Sequence, residues 1–179
     1  MKPPPDRLPD PDADARAHSA AVLSAVRAAI SGHGGWITFA QYMQSVLYAP
    51  ALGYYVAGAR KFGAAGDFVT APELTRLFGI ACARQVGEVL AATGSREIVE
   101  LGAGSGRLAA DLMAGLAAHH QLPQRYVIVE ISPELRERQR ATLAAAPMAA
   151  DLVEWRNDLP DAIDGAIVMN EVLDAIPAH

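Results

Sequence analysis

The sequence predicts an α/β fold: a parallel sheet with helices on its faces, behind an N-terminal helical extension. Three observations predict it. From Ile98 onward, short apolar runs alternate with segments of helical period. Gly, Pro, Asn and Asp punctuate the boundaries between them. The rhythm of strand, helix, strand, helix, strand, strand is that of strands joined by crossovers.

The opening stretch MKPPPDRLPDPDADAR is rich in Pro and Asp and reads as a disordered tail over residues 1–16. A first helix is predicted from about Ala13 to Ile30, with Ala20, Leu23, Val26, Ala29 and Ile30 on one face. The GHGG at 32–35 stops it. Thr38 caps a second helix, FAQYMQSVLY, which ends before Pro50. ALGYYV follows as an extended aromatic segment, then the loop GAAGDFVTAPE at 63–73.

Thr70, Ala71, Pro72 and Glu73 match a capping box, Thr70 taking the backbone N–H of Glu73 and Glu73 reaching back. The helix it starts carries Leu74, Leu77, Phe78, Ala81, Cys82, Val86, Val89 and Leu90, and ends at Thr93 and Gly94. Residues 17–95 therefore read as a helical region.

Ile98, Val99 and Leu101 form a buried strand, and Gly102, Gly104 and Gly106 make the turn after it. Leu108, Leu112, Met113 and Leu116 then take helical spacing. RYVIVEIS gives a second strand over 125–131, and Ser132 and Pro133 start a charged surface helix. DLVEW is a third strand and GAIVMNEVLD contains a fourth. The sheet stops at DAIPAH, so residues 96–179 read as the first half of a domain in a fragment of something longer.

Composition narrows the functions. The chain has 179 residues, 51% hydrophobic, with net charge −5 and no basic stripe, which argues against nucleic acid as the partner. One cysteine excludes an internal disulfide framework and a cysteine zinc cluster, and Cys82 among apolar neighbours reads as an inert buried thiol. No histidine has metal spacing with an acid partner, so no metal is expected. No apolar run is long enough for a membrane span, and no secretion signal or transit peptide is evident. A reducing, bacterial-type cytoplasm fits this.

The chemistry centres on ELGAGSG, Glu100 to Gly106. A dinucleotide fingerprint needs its third glycine one residue later, where Arg107 stands. The spacing is closer to E-x-G-x-G-x-G, the motif of class I methyltransferases that use S-adenosylmethionine. Glu100 near the strand end can receive the ammonium of a methionine tail. Glu130, at the end of the next strand, can accept both ribose hydroxyls, with Ile131 flanking the adenine. Asp158 in NDLP follows the third strand and can take the adenine amino group. Ordinary turn and anion roles remain open for each of these singly.

ITFAQYMQSVLYAPALGYYV, GAAGDFVTAPELTRLFG, VELGAGSGRL and MNEVLDAIPAH together resemble the MidA family, known in mitochondria as a complex I assembly factor that is a protein arginine methyltransferase. The resemblance runs from about Trp36 to His179. It implies a Rossmann-like class I methyltransferase sheet, S-adenosyl-L-methionine as cofactor, and a protein substrate with an arginine acceptor. Family members are about twice this length, so it also implies a missing second half.

Carried onto this sequence, the resemblance has Gly102, Gly104, Glu130 and Asp158 hold the cofactor, with Gly66, Asp67 and Phe68 closing over its methionine end. Asn170 and Glu171 stand at the end of the fourth strand, where ligands gather in open α/β sheets. Glu171 can orient a guanidinium bidentately, and Asp174 assists. A solvated helix turn is the plain alternative for Glu171 and Asp174. Tyr48, Tyr54 and Tyr55 line an acceptor pocket or pack the helical region. Two other functions stay open: a non-catalytic assembly module that keeps the fold, and a nicotinamide oxidoreductase.

Overall fold

Strands β1 (Glu97–Leu101), β2 (Arg125–Val129), β3 (Val153–Arg156) and β4 (Gly165–Met169) form one parallel sheet in the order β3-β2-β1-β4 in the computed structural model of the chain. The structure describes residues 10–56, 69–146 and 150–179. Six α-helices accompany the sheet among them: α1 (Ala13–Gly32), α2 (Phe39–Tyr48), α3 (Ala71–Leu74), α4 (Arg76–Thr93), α5 (Arg107–Ala118) and α6 (Pro133–Ala144). The predicted α/β architecture is the observed one.

Two compact units form, residues 1–59 with 176–179, and residues 60–175. In the first, α1 starts behind Asp12, whose carboxylate accepts the N–H of Ala15. Its first turn therefore overlaps the stretch 1–16 expected as a tail. Thr38 caps α2 as predicted, and Gln41 completes a capping box with it. ALGYYV is not extended. It folds into turns in which the N–H groups of Tyr54 and Tyr55 donate back to the carbonyls of Val46 and Leu47. Tyr55 stacks on Tyr48 and meets Tyr54 edge-on, so the aromatics pack locally.

The second unit holds the sheet together with α3 to α6. The expected boundary at 95/96 falls inside it, between α4 and β1. Helices α4 and α5 approach closely through small residues. A methyl group on Gly115 would stand 2.6 Å from Cβ of Ala83, and one on Gly79 at 2.6 Å from Cβ of Asp111. Ala83 and Leu90 of α4, Leu112, Met113 and Leu116 of α5 and Leu143 of α6 bury against Ile98, Tyr126, Ile128 and Ala166 of the sheet. Burial of this kind supplies most of a domain's stabilisation, about 25 cal/mol per Å² of apolar surface. Cys82 packs at its edge, where partial burial holds its thiol above the ordinary range.

The long helix predicted from Thr70 is broken. Thr75 sits in an extended conformation (φ −159°, ψ 137°) between α3 and α4, and its hydroxyl accepts the N–H of Leu77 as the cap of α4. The capping box does not form: Thr70 makes no side-chain cap bond. Both halves are diverted: the N–H of Glu73 donates to the Thr70 backbone carbonyl, and the Glu73 carboxylate takes the hydroxyl of Ser105. Strand β2 stops at Val129 rather than 131: the N–H of Glu130 still donates to the Arg156 carbonyl of β3, and its carboxylate then takes the N–H of Ser132 as the chain turns into α6.

Candidate active site

The register places four chain turns side by side. Leu101 pairs with Val129 and with Met169, and Val129 pairs with Arg156. Gly102, Glu130, Asn157 and Asn170 are therefore the first residues beyond the ends of four parallel strands, at one edge of the sheet. The chain crosses back from β3 to β4, on the far side of β1, so this edge contains the topological switch point where open α/β sheets take their ligands.

At the end of β1 the backbone turns with positive φ at Gly102 (61°), Gly104 (54°) and Gly106 (81°). Gly102 lies under Val172, and a Cβ there would stand 3.0 Å from a methyl of that valine. Gly106 faces the backbone of α6, where a Cβ would stand 3.1 Å from Cα of Gln139. Only glycine meets both demands. Gly106 caps α5 without a side-chain bond, and the hydroxyl of Ser105 takes the N–H of Arg107 instead.

Glu100 is buried within β1 and points into the helix-covered face. Its carboxylate accepts the hydroxyl of Tyr126 at 2.6 Å. Burial pushes its pKa up to about 7, with the Tyr126 bond opposing and the charge of Glu130 adding. Carboxyls perturbed in this way by burial cluster at functional sites.

Glu130 is 7% exposed. One carboxylate oxygen accepts the N–H of Ser132 at 2.9 Å, and the other accepts from Gln139 Nε2 at 3.1 Å. Burial raises its pKa, while the N–H groups of Ser132 and Ile131, the Gln139 amide and Arg136 work against the rise. Beside it Ile131 presents a half-exposed apolar side chain. Arg136 ties this strand end to the next, donating from Nε to the Glu130 carbonyl (2.7 Å) and from Nη2 to Asn157 Oδ1 (2.8 Å). Asp158 follows, exposed.

Beyond β4, Asn170 is half-buried and Glu171 exposed, and Glu171 holds φ at +53°. A non-glycine residue in that region is uncommon and costs of order 1 kcal/mol. Asp174 is exposed in a single 3₁₀ turn, Leu173–Ala175. The turn brings Val172 onto Gly102, so the Asn170–Glu171 corner abuts the glycine turn.

The register thus gathers Gly102, Glu130, Asp158, Asn170 and Glu171 at one edge, with Glu100 buried beneath. Gly66, Asp67 and Phe68 lie outside the described residues. Sequence reasoning missed Tyr126, Ser105, Val172 and Gln139. Gln139 was legible in one respect: Leu135, Gln139 and Leu143 share a helix face, which sets one polar residue among apolar ones on a helix read as a solvated surface. Among the described residues no group of three or more His, Cys, Asp or Glu could hold a metal, and no helix is long and apolar enough to cross a membrane.

Known proteins resemble this chain. Residues 81–179 match the sequence profile of a family described as "Putative S-adenosyl-L-methionine-dependent methyltransferase". A mitochondrial protein of Caenorhabditis elegans named protein arginine methyltransferase NDUFAF7 homolog is 34% identical over 168 residues, 81% of this chain and 39% of the relative. The mouse protein arginine methyltransferase NDUFAF7 is also 34% identical, over 171 residues, 81% of this chain and 39% of that protein. A Burkholderia thailandensis protein crystallised with S-adenosyl-homocysteine superposes with a TM-score of 0.88 at 50% identity, covering 96% of this chain and 46% of its own. The chain spans less than half the length of each.

Proposed function

The chain belongs to this family of S-adenosyl-L-methionine-dependent methyltransferases, and from that membership we propose that it binds S-adenosyl-L-methionine at the strand-end edge and acts in the methylation of arginine on a protein. One observation carries the reading above the rest. The register aligns a glycine turn, a buried hydrogen-bonded glutamate and an exposed acidic corner along one edge of a parallel sheet.

The residues fit the cofactor. A side chain at Gly102 would fill the space beneath Val172, and the glycine turn lets backbone approach a ligand closely. Glu130, already fixed by two donors, keeps lone pairs for the ribose hydroxyls. Ile131 offers an apolar surface to the adenine and Asp158 an acceptor to its amino group. Glu100 would receive the ammonium of the methionine part once ionised. Gly66, Asp67 and Phe68 would close the methionine end. In support, Glu73, shortly after them in sequence, is bonded to Ser105 of the glycine turn.

The bound cofactor supplies a methyl group on a sulfonium, open to in-line attack. The protein's part is alignment and exclusion of water. A guanidinium is a poor nucleophile because it stays protonated and delocalised. Glu171 would pair with it bidentately and draw its charge from the attacking nitrogen, with Asn170 and Asp174 as further contacts. Holding Glu171 in a left-handed conformation has a backbone cost, which an orienting role would account for.

Relatives named as protein arginine methyltransferases support arginine as the acceptor and a protein as the substrate. We place the chain in a bacterial cytoplasm, on composition and its single cysteine. The test is transfer of a labelled methyl from S-adenosyl-L-methionine into protein, followed by hydrolysis. Label in methylarginine supports the reading, and label only in other residues or small molecules refutes the acceptor.

A further inference from the structure

Gln139 is fully buried, at 0% exposure. Its amide has three partners on three different elements. Nε2 donates to the Gly104 carbonyl (3.1 Å) in the glycine turn and to Glu130 Oε2 (3.1 Å) at the end of β2. Oε1 accepts the indole N–H of Trp155 (2.9 Å) in β3. Partner chemistry fixes the amide's orientation: a carbonyl and a carboxylate can only accept, and an indole N–H can only donate. Both amide hydrogens are spent. Trp155 is itself held from outside by the guanidinium of Arg140, 5.0 Å above its ring. The backbone of Gln139 also sets the limit on Gly106.

We propose that Gln139 is the positioning residue that locks the Glu130 carboxylate and the glycine turn into one geometry, so that the site discriminates a ligand by its ribose hydroxyls. This rests on the cofactor reading above. The amide spans the two groups that would hold the ribose and the methionine tail, and no other described side chain bonds both. Without it, Glu130 keeps the Ser132 N–H but loses the donor that fixes its second oxygen. The Gly104 carbonyl loses its side-chain partner at the same time. A buried carboxylate with a freed oxygen turns toward whatever donor remains, and the hydroxyl pair then meets a mobile acceptor.

The test is titration of the full-length protein with S-adenosyl-homocysteine and with its analogue lacking the 2′- and 3′-hydroxyls. The wild type should prefer the parent compound. Gln139→Met, close in volume, should lose about tenfold or more of its affinity for S-adenosyl-homocysteine while barely changing that for the analogue, so the preference collapses. Trp155→Phe removes the bond that orients the amide while keeping an aromatic ring under Arg140, and should narrow the preference to a smaller degree, which decides the matter if the methionine variant does not fold. Equal weakening toward both compounds, or an intact preference in both variants, overturns the positioning role. Failure of the wild type to bind either compound overturns the cofactor reading, and this inference with it.

Discussion

The hydroxyl of Tyr126 donates to the carboxylate of Glu100 across two neighbouring strands, at 2.6 Å, with both side chains buried. The bond favours the ionised acid, yet burial outweighs it and leaves the Glu100 pKa at about 7 against an ordinary 4.5. A carboxyl whose folded pKa is raised holds its proton longer in the folded state. Folding then binds a proton between those two values, so the contribution of Glu100 to stability is fully present below 4.5 and is lost as pH rises to about 7. The decline is roughly 3 kcal/mol at most. Gln in place of Glu100 keeps an acceptor for Tyr126 and has no charge to lose. Denaturation midpoints for wild type and Glu100→Gln should converge below pH 4.5 and separate above 7, with the variant the more stable. Parallel curves would contradict this.

The same raised pKa predicts a pH dependence for cofactor binding. An ammonium beside Glu100 favours the ionised form and lowers its pKa in the complex. Affinity for S-adenosyl-L-methionine should therefore rise with pH and level off above about 7. Calorimetry in buffers of different ionisation enthalpy should show proton release on binding below that value, and Glu100→Gln should show less.

The glycine turn predicts a ranking. Gly102→Ala and Gly106→Ala both force a side chain to positive φ, at about 1–2 kcal/mol each. At Gly102 the obstacle is a methyl of Val172, which can rotate. At Gly106 it is Cα of Gln139, which cannot move without α6. Thermal or chemical denaturation should find Gly106→Ala the more destabilised of the two.

Caps predict opposite outcomes for two threonines five residues apart in sequence. Thr75→Ala removes the acceptor for the Leu77 N–H and should cost about 1 kcal/mol. Thr70→Ala removes no cap bond and should cost no more than a few tenths. A double-mutant cycle between Glu73→Gln and Ser105→Ala should show coupling of about 1 kcal/mol.

Glu171 predicts a trade between stability and function. Glycine at 171 relieves the left-handed strain and should raise stability by roughly 1 kcal/mol; on the proposed role of Glu171 it should also abolish methyl transfer to arginine. Glu171→Gln keeps the strain, and so the stability, and should also lose activity. A variant that gains stability and keeps activity would remove Glu171 from the reaction.

The sheet was legible because its strands announce themselves as apolar runs, and the glycine turn because its spacing excludes a dinucleotide fingerprint. The acids at 130 and 158 followed from their places at strand ends. What stayed hidden depended on partners remote in sequence. Glu73 matched a local cap, but Ser105 competes for it. Gln139 looked solvated among Arg and Glu, and only the closure of α6 onto the glycine turn buries it. Thr75 ends one helix and starts another with nothing in its neighbours to say so. ALGYYV has aromatic β-formers, yet Gly53 and hydrogen bonds back to α2 curl it into turns.

The most direct measurement is calorimetric titration of the full-length protein with S-adenosyl-homocysteine, for the wild type and for Glu130→Ala. The account predicts saturable binding to one site in the wild type and a loss of about tenfold or more in the variant. No heat and no thermal shift in the wild type at millimolar ligand, or undiminished binding in the variant, would contradict it.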